Sequence, residues 1–539
     1  MERARLQRPR LLRVVIAVVV LTSAAAATPV HLRCEYLENP LGIDAASPRF
    51  SWQSDNSERN WMQAAYQVLV ASNDENLRSG KADVWDSGKV DSAESVGIVY
   101  RGPALESRKR YYWKVRVWDA ERQVSESTEV AWWEMGLLHA TDWKAKWIRW
   151  QNPEDDADRR DIRWIWLPGQ DAFAVVPKTA AKFRVTVDLR QTEKPKAAVL
   201  MLATRGDFVA KVNGHKVDSK SRWTTFDRKD ISDQLGVGKN VIEVAVTAPE
   251  SPEWGPNAGA KTTTAALAAL LKITRSDGST MRLPTGAKWE ASLEKKSHWR
   301  PARAVADLTD KKLGDPGPLP QPAAYLRRTL ALSKNVQSGR LYVTALGSYR
   351  VFLNGRRVGA DVLTPDFTDY RKRVPYQAYD VTSLLVSGNN VISALLGDGW
   401  YGSGLTWDGV HFFPPPDRLV AQLELDYADG SHDTVVTDES WKTAASPILS
   451  SSIYAGEDYD ARLEQAGWEK PGFDDSTWKP AVIADAPAII VSSQITAPAR
   501  IITTLDPKSV TPTANGAYIF DMGQNMVGWA TLKVRGAAG

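Results

Sequence analysis

Chemically capable side chains are plentiful in this chain, and few of them are grouped in a way that carries meaning. There are 64 Asp and Glu residues, so any two carboxylates can be nominated for acid and base work, and nomination alone decides little. The densest grouping is "GEDYDARLE", with Glu457, Asp458, Asp460 and Glu464 close together. Its plainer reading is a connecting strand in which Asp460 pairs with Arg462 or with nearby backbone. "LGDGWYGSGL" is the better ligand candidate. It follows the strand-like run "NVISALL", and its glycines are expected to let a loop expose Trp400 and Tyr401. An indole face suits a flat apolar side of a ligand, and Asp398 would accept hydrogen bonds from hydroxyls beside it. A matching loop earlier in the chain, "PESPEWGPNAG", carries Trp254 before Gly255. The alternative for these aromatics is packing beneath their loops or against a neighbouring domain.

Other chemistries find little support. Six His without ligand spacing and a single Cys argue against zinc and exclude an internal disulfide. No phosphate loop or dinucleotide fingerprint occurs. In "FDDSTW", Phe473 to Trp478, the Asp and Ser residues read as turn caps and Trp478 as a core residue.

The first 27 residues read as a secretory leader. Arg3, Arg5, Arg8, Arg10 and Arg13 supply its charge, Val14 to Leu21 its apolar stretch, and Ala24 to Ala27 a run of small residues. That apolar stretch is short for a membrane span, and the residues before Cys34 do not form a lipidation box. The leader holds five Arg and one Glu, a net +4 that equals the charge of the whole chain. The exported part is therefore near neutral. Nucleic-acid binding loses its main support, and no membrane contact is expected once the leader is removed.

The elements that must position the candidate residues are strands. Alternating patterns dominate, as in "YQVLVAS", "YYWKVRVWD", "KFRVTVDL" and "RLYVTAL", and Ala265 to Ile273 reads better as strand than as helix. The fold class is all-β. An internal repeat organises it. "KVNGHKV" matches "FLNGRRV", pairing Asn213 with Asn354 at a lag of 141; Asn240 pairs with Asn390 at 150, and Trp289 with Trp441 at 152. Asn-Gly turns between apolar alternations signal tight hairpins. Two jelly-roll sandwiches are expected, roughly Trp143 to Pro316 and Leu319 to Val491. A smaller immunoglobulin- or fibronectin-like sandwich, with Trp52 and the "YYWKVRVW" strand in its core, is expected over residues 28–138. Residues 492–539 remain as a β segment, with strands at Tyr518 to Phe520 and Thr531 to Val534.

Several stretches resemble bacterial α-L-rhamnosidases of glycoside hydrolase family 78: "RCEYLENPLGIDAASPRFSWQ", "FLNGRRVGADVLTPDFTDYRKRVPYQAYDVTSLL", "LLGDGWYGSG", "YAGEDYDARLEQAGW" and "DMGQNMVGW". The resemblance covers most of the chain and is most specific over Gly339 to Trp468. It implies that the carboxylates cleaving the sugar bond belong to an α/α barrel that follows in the family. No amphipathic helices of that kind occur here, so the chain is expected to be a non-catalytic N-terminal portion, cut just inside its next β domain, with no catalytic residue of its own. Rhamnose-containing glycans are the implied partners. The rivals are a chain that hydrolyses rhamnosides itself and a scaffold that docks a separate catalytic chain. The first sandwich resembles the rhamnose-binding module of some members, which holds sugar through calcium on an Asp-Asn pair. Here Arg205 and Gly206 stand at that place, with Asp207 displaced. No cofactor is therefore expected, calcium being left open but disfavoured. The acidic stretch "PEDDADRRD" from Pro153 reads as a solvated loop.

Overall fold

Alternation in the sequence becomes two-faced strands. Along Ala180–Leu189 every second side chain (Ala181, Phe183, Val185, Val187 and Leu189) is buried while its neighbours are partly or fully exposed, because successive side chains of a strand point to opposite faces. A computed structural model describes residues 27–55, 61–152, 154–189, 194–220, 226–250, 261–286, 288–293, 298–317, 319–405, 412–413 and 416–536. The leader expected over residues 1–27 lies outside the described residues except for Ala27. Among those described, no helix is long and apolar enough to cross a membrane. The chain divides into two compact units, residues 1–140 and 141–539.

The first unit is a sandwich. Thr28–Cys34, Arg49–Asp55 and Ile98–Val99 form one sheet. The other is centred on Gln63–Ala71 and Arg110–Asp119, the longest strands of the unit. Aromatic rings fill the space between them: Phe50 lies 4.5 Å from Trp113 and 5.3 Å from Trp133, centroid to centroid. Trp52 is buried in the same core, and its indole N–H donates to Gln63 Oε1 at 3.0 Å, so the polar edge of the ring is satisfied.

The second unit contains the repeat, strand for strand. Ala197–Arg205 answers Val336–Leu346, Asp207–Val212 answers Ser348–Leu353, Gly238–Thr247 answers Gly388–Gly397, and Ala266–Thr274 answers Arg418–Tyr427. In each copy an Asn-Gly turn has both residues at positive φ, 50° and 84° at Asn213 and Gly214, 53° and 80° at Asn354 and Gly355. That twist matches the flanking strands. Each turn is clasped to a buried Asn. Asn213 Nδ2 donates to Asn240 Oδ1 at 2.9 Å and Asn354 Nδ2 to Asn390 Oδ1 at 2.8 Å. Asn240 and Asn390 in turn donate to the carbonyls of Gly236 and Val386, both at 2.7 Å. Trp289 and Trp441, the other matched pair, are both buried in their cores.

The second sandwich draws on residues beyond the range expected for it. Ile148 pairs with Leu419 and with Ile483, so the segment around Trp143 to Trp150 belongs to this sandwich and not to the first. Ile490–Ser493 pairs in parallel with Arg373–Tyr376, Arg500 binds Asp361 at 2.7 Å, and the sandwich continues past residue 491. The first sandwich is thus an insertion into the second.

Two further expectations are corrected. The acidic stretch from Pro153 is a short helix, Asp155–Asp161, not a solvated loop. Asp158 is fully buried there and ion-paired with Lys272 at 3.0 Å and with Arg282, which gives the helix a fixed seat on the sheet. No strand forms at Thr531 to Val534. Ser509–Pro512 and Tyr518–Asp521 pair only with each other, and without a third strand a ladder does not extend. Ile502 is 90% exposed and Val534 77%.

Two outcomes follow. Trp441 fills the second core and its N–H donates to the Val436 carbonyl at 2.9 Å, so Trp441→Ala should lower stability by about 3–5 kcal/mol in denaturant titration. A loss below about 1 kcal/mol would mean that the core collapses into the gap. Deleting the chain from residue 501 onward should leave the melting temperature in place, whereas deleting from residue 490 should lower it by removing a paired strand. Equal melting of the two deletions would show that the strand contributes nothing.

Candidate functional site

The loop expected to display a sugar platform is built for close packing. Gly399 has φ 52°, and a Cβ there would lie 2.4 Å from that of Ser348. A Cβ on Gly402 would stand 2.5 Å from Asp417 Oδ1. These glycines bring backbone against neighbouring groups instead of displaying aromatics. Tyr401 is 4% exposed. It stacks on Phe413 at 5.7 Å and meets the edge of Tyr370 at 5.7 Å, in a cluster with Trp147, Leu346 and Val420. Its ring offers no face to a ligand. Trp400 is half-buried at the edge of that cluster, 5.6 Å from Phe367. Trp254 lies outside the described residues.

Asp398 goes elsewhere. Its backbone N–H donates to Ser451 Oγ at 3.1 Å, and its carboxyl meets that of Asp417, which enters from the start of Arg418–Tyr427. Both line a cavity of about 130 Å³ between the two sandwiches, whose walls include Trp150, Phe226, Pro320, Gln321, Pro322 and Ser450. Trp400 and Tyr401 are not part of that lining. The three residues expected to act together are thus split between a cavity and a core.

Burial is the main reason that the Asp398 carboxyl is pushed up to about 6; hydrogen bonds from Asp417 and Ser451 oppose the shift. Asp417 is raised well above the ordinary value, first by burial and then by the charge and hydrogen bond of Asp398; Arg418 counteracts this only in part. Two carboxyls in contact cannot both ionise cheaply, so they hold a proton between them. Asp417 carried no signal beyond a lone carboxylate at the entry to an apolar strand, and nothing local ties it to Asp398.

The remaining candidates fall into place. "GEDYDARLE" forms an exposed hairpin strand, Gly456–Tyr459, and then a turn in which Asp460 binds the Arg462 guanidinium at 2.8 and 2.6 Å. Asp474 caps its turn through the Ser476 N–H at 3.0 Å, and Trp478 is buried against Tyr325. Asp475 serves the fully buried Arg327, which also donates to the Lys470 and Phe473 carbonyls. Arg205 sits over the Trp164 ring at 5.3 Å, and Asp207 is exposed. Among the described residues, no three His, Cys, Asp or Glu side chains are grouped to hold a metal ion.

The carboxyl pair has a consequence for pH. Its members bind protons more tightly folded than unfolded, so the pair favours the folded state at low pH. That advantage is lost as pH rises from the ordinary 3.8 through about 6 and beyond. Melting curves should therefore fall more steeply with pH for the native chain than for Asp398→Asn across about pH 4–8. Parallel curves would show that the pair carries no bound proton.

Comparison with known proteins is consistent along the chain. Residues 29–139 match the Rha78A-like, N-terminal immunoglobulin domain, and residues 334–503 match the alpha-L-rhamnosidase N-terminal domain. An alpha-L-rhamnosidase of Streptomyces avermitilis is 39% identical over 94% of this chain and 49% of its own length. One from Formosa agariphila is 27% identical over 92% of this chain and 38% of its own. The crystal structure of a Streptomyces avermitilis alpha-L-rhamnosidase complexed with L-rhamnose superposes with a TM-score of 0.74, at 36% identity, over 93% of this chain and 49% of that one. A structure of an alpha-L-rhamnosidase from Dictyoglumus thermophilum gives 0.56 at 29% identity, over 92% and 38%. The chain spans about half the length of the Streptomyces relative and less of the others. By the two domain matches and this coverage, the chain belongs to glycoside hydrolase family 78 and carries the N-terminal region of its α-L-rhamnosidases.

Proposed function

We propose that this region is the non-catalytic part of an exported α-L-rhamnosidase, and that it binds and positions rhamnose-containing glycans for hydrolysis by acid and base groups located elsewhere. The observation that carries this reading is the contact between Asp398 and Asp417. Glycosidase carboxyls flank the scissile bond about 5–10 Å apart, leaving room for the glycosidic oxygen and for water or the covalent sugar. A pair that shares a proton directly has no such room. It suits holding hydroxyls, not cleaving between them. The leader-like first 27 residues support export. A relative crystallised with L-rhamnose supports the choice of sugar.

The exposed apolar side chains of residues 501–534, among them Ile502, Val527 and Trp529, support packing against further polypeptide. This favours the docking reading as a companion to glycan binding.

Residues 28–539, purified, should leave aryl α-L-rhamnosides intact while binding L-rhamnose in calorimetric titration. Turnover that survives purification and disappears in Asp398→Asn or Asp417→Asn would overturn the non-catalytic reading.

A further inference from the structure

We propose that the cavity between the two sandwiches is a subsite for one 6-deoxyhexopyranose unit, its hydroxyls held by Asp398 and Asp417 and its ring lying against apolar walls. The subsite presupposes that this region binds rhamnosyl groups, and it says where. The cavity, about 130 Å³, is on the scale of the ~150 Å³ void that accepts benzene. That is room for the inserted side of one sugar ring, and the cavity is partly open, so the remaining atoms of the unit and the rest of a glycan stand outward from it.

The lining is mixed in the way a sugar requires. Trp150 and Phe226 provide ring surfaces, and Pro320 and Pro322 provide aliphatic ones. A 6-deoxy sugar has an apolar C–H face and a methyl group to set on such walls. Asp398 and Asp417 provide the polar end. A carboxyl pair with one proton both donates and accepts, and a sugar hydroxyl does the same.

A metal ion fits less well. Hard cations need several oxygen ligands, whereas the walls here are largely proline, leucine and aromatic surface, and the Arg418 charge acts on Asp417.

The geometry explains why glycine occupies position 402: any side chain there would press on the Asp417 carboxyl, with Oδ1 at 2.5 Å, and on Asp398 Cβ at 3.1 Å.

The test is calorimetric titration of residues 28–539 with L-rhamnose and with L-mannose, which differs by one hydroxyl in place of hydrogen on the methyl carbon. The native chain should prefer L-rhamnose. Asp398→Asn and Asp417→Asn should each weaken L-rhamnose binding by roughly tenfold or more, the scale of losing a hydrogen bond to a charged group. Ser450→Trp, which fills the cavity from the half-buried strand of a hairpin outside both cores, should abolish binding. It carries the test alone if an Asn variant fails to fold. Undiminished binding in the folded variants would overturn the subsite and leave glycan binding standing, to be sought elsewhere in the region. Absence of any binding by the native chain would overturn both.

Discussion

The chain enters the second sandwich before it has built the first, and most of what is particular to this structure depends on that. Ile148 is hydrogen-bonded between Leu419 and Ile483. The segment around it is sewn down by Thr437, which donates to the Lys146 carbonyl at 2.7 Å, and by Gln422, which accepts from the Lys144 N–H at 2.7 Å and donates to the Asp142 carbonyl at 2.8 Å. The first sandwich must therefore leave and rejoin the second at nearly the same place. The leaving end is Trp150. The returning end is the proline-rich run from Pro316 to Pro322. Both line the cavity with Asp398 and Asp417. Gln321, on the return, donates to Asp155 on the helix that opens the inserted sandwich. The fixed φ of Pro316, Pro320 and Pro322 limits the conformations of that return, and the cavity wall is set by where the chain leaves and rejoins the second sandwich.

The two copies show which parts of a repeated sandwich physics fixes and which it leaves free. The Asn clasp is the same in both because a buried amide needs all its partners, and Asn240 and Asn390 each find them in backbone carbonyls and in the turn Asn. Nothing of that kind constrains the strand ends. There Arg205 of the first copy aligns with Leu346 of the second. Arg205 lies over Trp164 with its pKa lowered by burial, while Leu346 joins the aromatic cluster of Tyr401 and Phe413. One copy spends this position on a cation over an indole, the other on closing its own end with rings. The same scaffold thus carries different surfaces at corresponding ends.

Legibility in the sequence follows the range of the interactions. Period-two alternation, Asn-Gly turns and the matched Trp residues are local or repeated signals, and they disclosed the sandwiches and their order. The insertion was hidden because a two-residue strand such as Ile148–Arg149 has no periodicity to read. The burial of Tyr401 is hidden from the sequence for a related reason. Glycines on either side suggested display, but whether a ring is displayed depends on Phe413, Tyr370 and Trp147, which arrive from three other segments. The helix at Asp155–Asp161 reads as solvated charge because the partners of its buried Asp158, Lys272 and Arg282, lie more than a hundred residues away. The Gly-rich turn marks Asp398 in the sequence; nothing local marks its partner Asp417, since only the folded chain sets them together.

That pairing runs against stability. Burying two carboxyls in contact raises both pKa values, and a volume-matched neutral pair would avoid the penalty. Arg418 is adjacent in sequence yet does not neutralise Asp417, since its NH1 is directed to the Asp485 carbonyl at 2.8 Å. The buried ion clusters elsewhere in this unit are arranged differently. Asp158 faces two cations and Arg327 is met by Asp475, each with opposite charges in contact. Where this unit needs only to hold its sheets together, it matches charges. At the cavity it sets two carboxyls side by side with one proton between them and keeps position 402 free of a side chain. A carboxyl pair kept at that cost on a cavity wall, in a unit that matches its other buried charges, is the energetic form expected of the proposed subsite rather than of a structural joint.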